Sequence, residues 1–232
     1  MKAIIVAAGE GVRMRPLTLK KPKPLILING KPLIHYIVSS FPAEIDELIM
    51  VVGYLGHQIV RYCGETFLGR RVKYVTQREK KGTFHALKLC EPFLKENESF
   101  AVFYADDLID KKTVERLIKH PLSIAATEVP DPWRFGVVTL KNGSTLDSIE
   151  EKPKHPTSNL IAANGCVLTK EILSIPPIKH ENGEYYLSSV INEFAKRRDI
   201  EVVRTSFWLP VGTPDDLTLA REVVKNHPEL LS

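Results

Sequence analysis

The sequence predicts an α/β fold built on a doubly wound, mostly parallel mixed sheet, and three observations carry that expectation. Short apolar runs alternate with amphipathic segments through the first half of the chain, the rhythm of βαβ units. The rhythm changes after about residue 121 to strand-like segments joined by turns. No linker, internal repeat or low-complexity run interrupts the 232 residues, so one domain with two subregions, about 1–121 and 122–232, is expected.

The elements follow in order. Residues Lys2–Ala8 read as a buried first strand. Pro32–Phe41 reads as a short helix with proline in its first turn. A strand at Glu47–Val52 and a helix at Gly56–Phe67 come next, then a strand at Val72–Thr76, a helix at Thr83–Leu94 and a strand at Phe100–Ala105. In the second half Ser123–Val129, Phe135–Leu140 and Leu160–Thr169 are strand-like, with a turn at Lys141-Asn142-Gly143. Helices return at Tyr185–Arg198 and Pro214–Asn226, with a strand at Ile200–Ser206 between them.

Composition narrows the function. Apolar residues are 44% and charged residues 26%, which suits a globular core and argues against disorder or a coiled coil. No apolar stretch approaches a membrane span, and the apolar run of the first strand is too short for a signal-peptide core. No membrane partner is expected, and the cytoplasm is the default location. Lysine and arginine exceed aspartate and glutamate by 32 − 28 = 4, too little to imply a nucleic-acid partner. Their placement is more telling. Gly11–Ala43 holds no acid but carries Arg13, Arg15, Lys20, Lys21, Lys23 and Lys31. Such a field fits a small polyanion, although a solvated basic loop has the same composition. Cys63, Cys90 and Cys166 lack any CxxC spacing and read as buried, inert thiols. The seven histidines show no metal-ligand spacing and receive no role.

In doubly wound sheets ligands sit at the carboxyl ends of the strands. The first strand is followed by Ala8-Gly9-Glu10-Gly11-Val12-Arg13-Met14-Arg15-Pro16-Leu17-Thr18. Its two glycines allow backbone N–H groups to approach an anion. Met14 stands where a dinucleotide fingerprint needs its third glycine, and no Walker A pattern exists. Lys23 lies between Pro22 and Pro24, a stiff mount for one cation. That arrangement suits phosphoryl or nucleotidyl transfer, which is mostly positioning and charge stabilisation.

The combination GxGxRMxPLT followed by Pro22-Lys23-Pro24-Leu25 resembles the sugar-1-phosphate nucleotidylyltransferases, the NDP-sugar pyrophosphorylases. Further segments resemble family blocks in the family's order: Gln77 with Gly82-Thr83 and Ala86, Tyr104-Ala105-Asp106-Asp107, Phe135-Gly136-Val137-Val138, Glu151-Lys152-Pro153, Asn164-Gly165, Gly183-Glu184-Tyr185-Tyr186 and Trp208 through Thr213. The resemblance covers nearly the whole chain. It implies a Rossmann-like nucleotide-diphospho-sugar transferase fold, a nucleotide half and a sugar-phosphate half. The implied reaction joins an NTP and a sugar 1-phosphate into an NDP-sugar and pyrophosphate.

Roles follow from the resemblance. Ala8, Gly9, Gly11, Gln77, Gly82 and Thr83 are expected at the nucleotide. Arg13 would hold leaving phosphates through its planar fork, and Lys23 would neutralise charge near the α-phosphate. Both are expected on loops, with little weight in stability. Asp106 would bind Mg²⁺, the implied cofactor. Gly136, Glu151, Lys152 and Asn164 would form the sugar-phosphate site. Read alone, Asp106 and Asp107 also suit a helix cap near Lys111, Glu151 and Lys152 an exposed turn, Gln77 a polar strand end, and Trp208 a core wall. Asp215 and Asp216 read as helix-capping residues. A side-chain amide at Gln77 can pair a uracil or thymine edge in both directions, which favours UTP or dTTP. Two departures stand out. Pro210 occupies the place of the usual second metal aspartate, and Ser189 the place of another aspartate of many members.

Overall fold

The computed structural model describes residues 1–231. At its centre are four parallel strands: β1 (Lys2–Ala7), β4 (Glu47–Val52), β6 (Arg70–Thr76) and β7 (Ser99–Tyr104). Every residue of β4 is buried, as expected for an apolar strand covered on both faces. Alternate residues of β1 serve opposite cores. Ala3, Ile5 and Ala7 pack with α1 (Leu33–Ser39), α2 (Gly56–Cys63), α4 (Lys111–Leu117) and α6 (Pro214–Asn226). Ile4 and Val6 pack with α3 (Thr83–Lys88) and α5 (Leu187–Ala195). The sheet is therefore wound on both faces.

The second half extends the same sheet. Its strands are β9 (Ser123–Glu128), β10 (Gly136–Lys141), β11 (Thr145–Glu151), β12 (Leu160–Thr169) and β13 (Glu201–Arg204). With β5 (Thr66–Phe67) at the far edge, the order is β10-β11-β13-β9-β12-β7-β1-β4-β6-β5. The parallel run ends at β7, which β12 joins antiparallel, while β13 runs parallel to β9. Two small ribbons lie outside: β2 (Leu27–Ile28) with β3 (Lys31–Pro32), and β8 (Asp107–Ile109) with β14 (Trp208–Pro210).

Several boundaries differ from the sequence reading. Helix α2 stops at Cys63 because Gly64 turns to φ 61°, and the next residues pair back onto β6. Helix α3 stops at Lys88, and the chain continues in a separate turn of 3₁₀ helix at Glu91–Phe93. Pro92 has no N–H to continue an α-helix. Strand β11 was not foreseen. A register shift at Thr139/Leu140 in its partner goes with an alternation interrupted by Asp147 and Ser148. The three cysteines are buried, and burial pushes each thiol up to about 12, which suits unreactive packing groups. Among the described residues no helix is long and apolar enough to cross a membrane.

The register aligns the functional edge. Ala7 pairs with Val52, Val52 with Thr76, and Val6 with Tyr104. Ala8, Gln77 and Asp106 therefore leave the sheet at one common edge. Farther out, β13 pairs with β11 at Thr145, and the Ile149 backbone takes its bonds from a side chain instead. Asn192 on α5 donates to Ile149 O and accepts from Ile149 N, both at 2.7 Å. Asn192→Ala should lower stability by about 2 kcal/mol, the scale of unpairing half-buried backbone groups. A denaturant titration with an unchanged m-value checks this.

Candidate active site

Two adjoining cavities of about 660 and 350 Å³ open at the carboxyl edge of the central strands. Arg13, Thr83, Tyr104, Asp106 and Gly212 line both, so they form one cleft. Gly9, Gly11 and Lys23 lie at the smaller part. Gly136, Glu151, Lys152 and Asn164 lie at the larger. Ala8, Gln77 and Gly82 stand at the same edge without lining either cavity. A third cavity, of about 530 Å³, opens at the amino ends of the strands around Lys2, Glu47 and Lys73 and holds none of the expected site residues.

The geometry of the glycine loop after β1 is specific. Gly11 has φ 60°, and its carbonyl accepts from Met14 N at 2.9 Å and Thr18 Oγ1 at 2.8 Å. A Cβ there would stand 3.0 Å from Thr18 Cγ2 and 3.1 Å from Lys23 Cβ. Gly9 is different: a Cβ would meet nothing within 4 Å and would project into empty cleft. Lys23 sits in a 3₁₀ turn, Lys23–Leu25, flanked by its prolines. Its side chain is buried, contrary to the expectation of a loop residue with little structural weight; the residue is 8% exposed. Lys23 Nζ lies 3.3 Å from Asp106 Oδ2, whose side chain is 42% exposed. Arg13 is exposed, beside Gly212, and makes no ion pair among the described residues. Of the other cations of the basic segment, Arg15 pairs with Glu10 at 3.4 Å, and Lys20, Lys21 and Lys31 are exposed.

Asp106 follows β7, and Asp107 opens β8. Trp208 Nε1 donates to Asp107 Oδ2 at 3.1 Å. Burial, and then the neighbouring Asp106 carboxylate, push the Asp107 carboxyl up, against the pull of Lys23. Pro210 is the cross-strand partner of Asp107. Neither aspartate caps α4; Asp110 does, accepting from Thr113 N. Asp216 completes a capping box with Thr213 and accepts from Gly212 N at 3.0 Å, so its structural reading holds.

In the larger part, Gly136 pairs with Glu151 across β10 and β11. Lys152 takes φ 47°, a costly conformation for a lysine, and its N–H donates to Phe135 O at 3.0 Å. It has no ion-pair partner among the described residues. Asn164 is buried, and its amide clamps the backbone of Tyr104, accepting from N and donating to O at 2.8 Å each. The register shift in β12 between Ala162 and Cys166 makes room for that clamp.

Gln77 Nε2 donates to Gly82 O at 3.0 Å and lies 3.1 Å from His85 Nδ1. With both amide hydrogens engaged, pairing a base in both directions is not available to it. Gly82 has φ 87°, and a Cβ would come 2.5 Å from Tyr185 O, so this glycine is required by backbone packing. Thr83 Oγ1 accepts from Leu187 N at 2.9 Å. Two cleft residues were not foreseen. Arg134 pairs with Asp131 at 2.7 Å, and His180 Nε2 lies 2.6 Å from Ser189 Oγ. A Pro-Trp-Arg turn just before the Phe135-Gly136 segment was the only sequence signal for the first.

The cleft thus brings free and buried cations to a carboxylate at a strand edge, the arrangement expected of a phosphate-transferring enzyme. A family model described as nucleotidyl transferase matches residues 2–227, and the chain belongs to that family. It is 32% identical over 225 residues to the bifunctional protein GlmU of Methanocaldococcus jannaschii, covering 96% of this chain and 54% of that protein. This chain therefore spans about half the length of that relative. It is 28% identical to the UTP–glucose-1-phosphate uridylyltransferase AglF of Haloferax volcanii, covering 93% of each. A crystal structure of UDP-glucose pyrophosphorylase complexed with UDP-glucose superposes with TM-score 0.85 at 25% identity, covering 97% of this chain and 98% of that one.

The two loop glycines separate folding from function. Gly11→Ala should destabilise by about 1 kcal/mol or more, because alanine is strained at positive φ. Gly9→Ala should leave the melting temperature nearly unchanged yet weaken nucleotide binding. Thermal melts with calorimetric nucleotide titrations check both.

Proposed function

We propose that this chain transfers a nucleoside monophosphate from an NTP to a sugar 1-phosphate, releasing pyrophosphate; the likeness to the UTP–glucose-1-phosphate uridylyltransferase AglF, and not two-way pairing at Gln77, supports UTP, or dTTP with the same base edge, as the donor. The observation that carries the reading is the buried Lys23 ammonium 3.3 Å from Asp106 at the junction of two cavities, one lined by the glycine loop and the other by Glu151 and Lys152. We assign the NTP to the first, formed mainly by residues 1–121 with Gly212, and the sugar 1-phosphate to the second, formed mainly by residues 122–232. The two families of ligands then meet at Lys23 and Asp106.

The chemistry suits such a cleft. A phosphate monoester oxygen is already largely ionised near neutrality, so it can attack without a general base. It bonds to the α-phosphorus, the bond from that phosphorus to the bridging β-phosphate oxygen breaks, and pyrophosphate departs. No net proton transfer is needed. The requirement is to hold two polyanions together and stabilise the charge moving to the leaving group. Lys23 meets the α-phosphate, Arg13 the leaving phosphates, and Lys152 the sugar phosphate. Glu151 accepts from sugar hydroxyls beside the Gly136 backbone, and Asn164 holds the wall they share.

Mg²⁺ fits the residues present. Asp106 and Asp107 offer carboxylate oxygens, and among the described residues no group of three or more His, Cys, Asp or Glu could hold an ion unaided. Mg²⁺ is commonly held by one or two carboxylates with phosphates and waters. When bound it would neutralise phosphate charge, with Asp106 as the principal protein ligand and Asp107 at the position facing Pro210. Asp215 is exposed and plays no part.

A pyrophosphate-release assay across NTPs and sugar 1-phosphates tests the reaction. Product should form most readily with UTP or dTTP, and absence of pyrophosphate release with every pair would refute it. Lys23→Met, which keeps the buried stem, should cut turnover by about tenfold to a thousandfold, the scale of one transition-state charge contact; Arg13→Ala should do likewise. Asp106→Asn should nearly abolish turnover and reduce Mn²⁺ binding measured by paramagnetic resonance with nucleotide present. Asp215→Asn should change neither.

A further inference from the structure

Gln77 follows β6, and the neighbours of its side-chain amide fix which end faces them. Gly82 O can only accept, so the amide nitrogen, not the oxygen, faces it at 3.0 Å. That carbonyl also accepts from Ala86 N at 3.3 Å on the first turn of α3. The second amide hydrogen points to His85 Nδ1 at 3.1 Å, which requires an imidazole that is neutral and protonated on Nε2. Burial, and then the Lys81 ammonium, hold His85 below its usual pKa range, against the opposite pull of Glu79. Both donors of Gln77 are thereby occupied. Its Oε1 has no partner among the described residues and can only accept.

We propose that His85 is a positioning residue that locks the Gln77 amide with its oxygen outward, so that the site takes a base carrying a ring N–H and rejects one carrying a bare ring nitrogen. The inference rests on the nucleotidyl-transfer reading and on Gln77 meeting the base. Uracil and thymine present N3–H, and guanine N1–H, to an acceptor. Cytosine N3 and adenine N1 present lone pairs, which face the Gln77 oxygen repulsively. Without His85 the second hydrogen is unpartnered and the amide is held by Gly82 alone. It can then swing or turn over to offer N–H to a ring nitrogen. Loss of His85 therefore relaxes the choice between UTP and CTP more than it slows transfer from UTP.

The experiment compares kcat/KM for UTP and CTP, at saturating sugar 1-phosphate, in the parent, His85→Ala, His85→Asn, Gln77→Met and the double variant Gln77→Met/His85→Ala. The UTP:CTP ratio should fall at least about fivefold in His85→Ala, the scale of one orienting hydrogen bond, with kcat for UTP within about twofold of the parent. His85→Asn, whose Oδ1 can stand near the place of Nδ1, should restore most of the ratio. The double variant should be no less selective than Gln77→Met alone, because one residue acts through the other. An unchanged ratio in His85→Ala, equal losses in His85→Ala and His85→Asn, or additive losses in the double variant would overturn the role of His85 while leaving the transfer reaction intact. If the parent transfers from no NTP, the functional reading fails instead. Calorimetric binding of UTP and CTP to the same variants then decides the role of His85 on its own.

Discussion

A buried lysine with only part of its charge answered organises this protein. Lys23 has lost most of its water, and its carboxylate partner Asp106 stands half in the cleft. Removing an ammonium from water costs several kcal/mol, and a single well-placed anion seldom repays it in full. Such a cation is better satisfied when a further anion arrives than when the cleft is empty. The fold spends several features on keeping it there. Pro22 and Pro24 fix the chain on either side, and Gly11 packs with no Cβ against the lysine's own Cβ. Tyr104, two residues before Asp106, is clamped by Asn164. The carboxylate is thus held from β12 and the ammonium from the loop after β1.

The parallel register carries that local constraint outward. Since β1, β4, β6 and β7 end together, short loops from four strands reach a common rim without long excursions. The second half supplies the complementary wall by joining β7 antiparallel through β12. Backbone contacts tie the halves near the rim. Phe84 N donates to Tyr185 O and Tyr185 N to Lys81 O, and Gly82 is compelled by that approach. The Lys81–Phe84 segment and the approach to α5 are therefore one packed unit.

Much of this was legible in the sequence, for reasons that differ by residue. The central strands were readable because burial on both faces leaves continuous apolar runs such as β4. That the glycine loop, Lys23, Asp106, Glu151 and Lys152 share one cleft was legible because their chemistry and order are unusual together. What escaped depends on pairing. The β8–β14 ribbon joins segments about a hundred residues apart, and β11 is broken in pattern. Burial of Lys23 could not be read from a loop-like Pro-Lys-Pro. The glycine at 82 seemed made for a ligand, whereas its missing Cβ makes space for Tyr185. The polarity of the Gln77 amide is set by Gly82 and His85, and only coordinates show that.

The central claim is that the bond made and broken lies at the α-phosphorus of the nucleotide, beside Lys23 and Asp106. Following the label from [α-³²P]UTP incubated with enzyme and a sugar 1-phosphate tests it most directly. The account predicts that the label moves into a nucleotide sugar while unlabelled pyrophosphate accumulates in equal amount. Label retained in a nucleoside diphosphate, with orthophosphate released instead, would place the chemistry at the γ-phosphate and contradict the account.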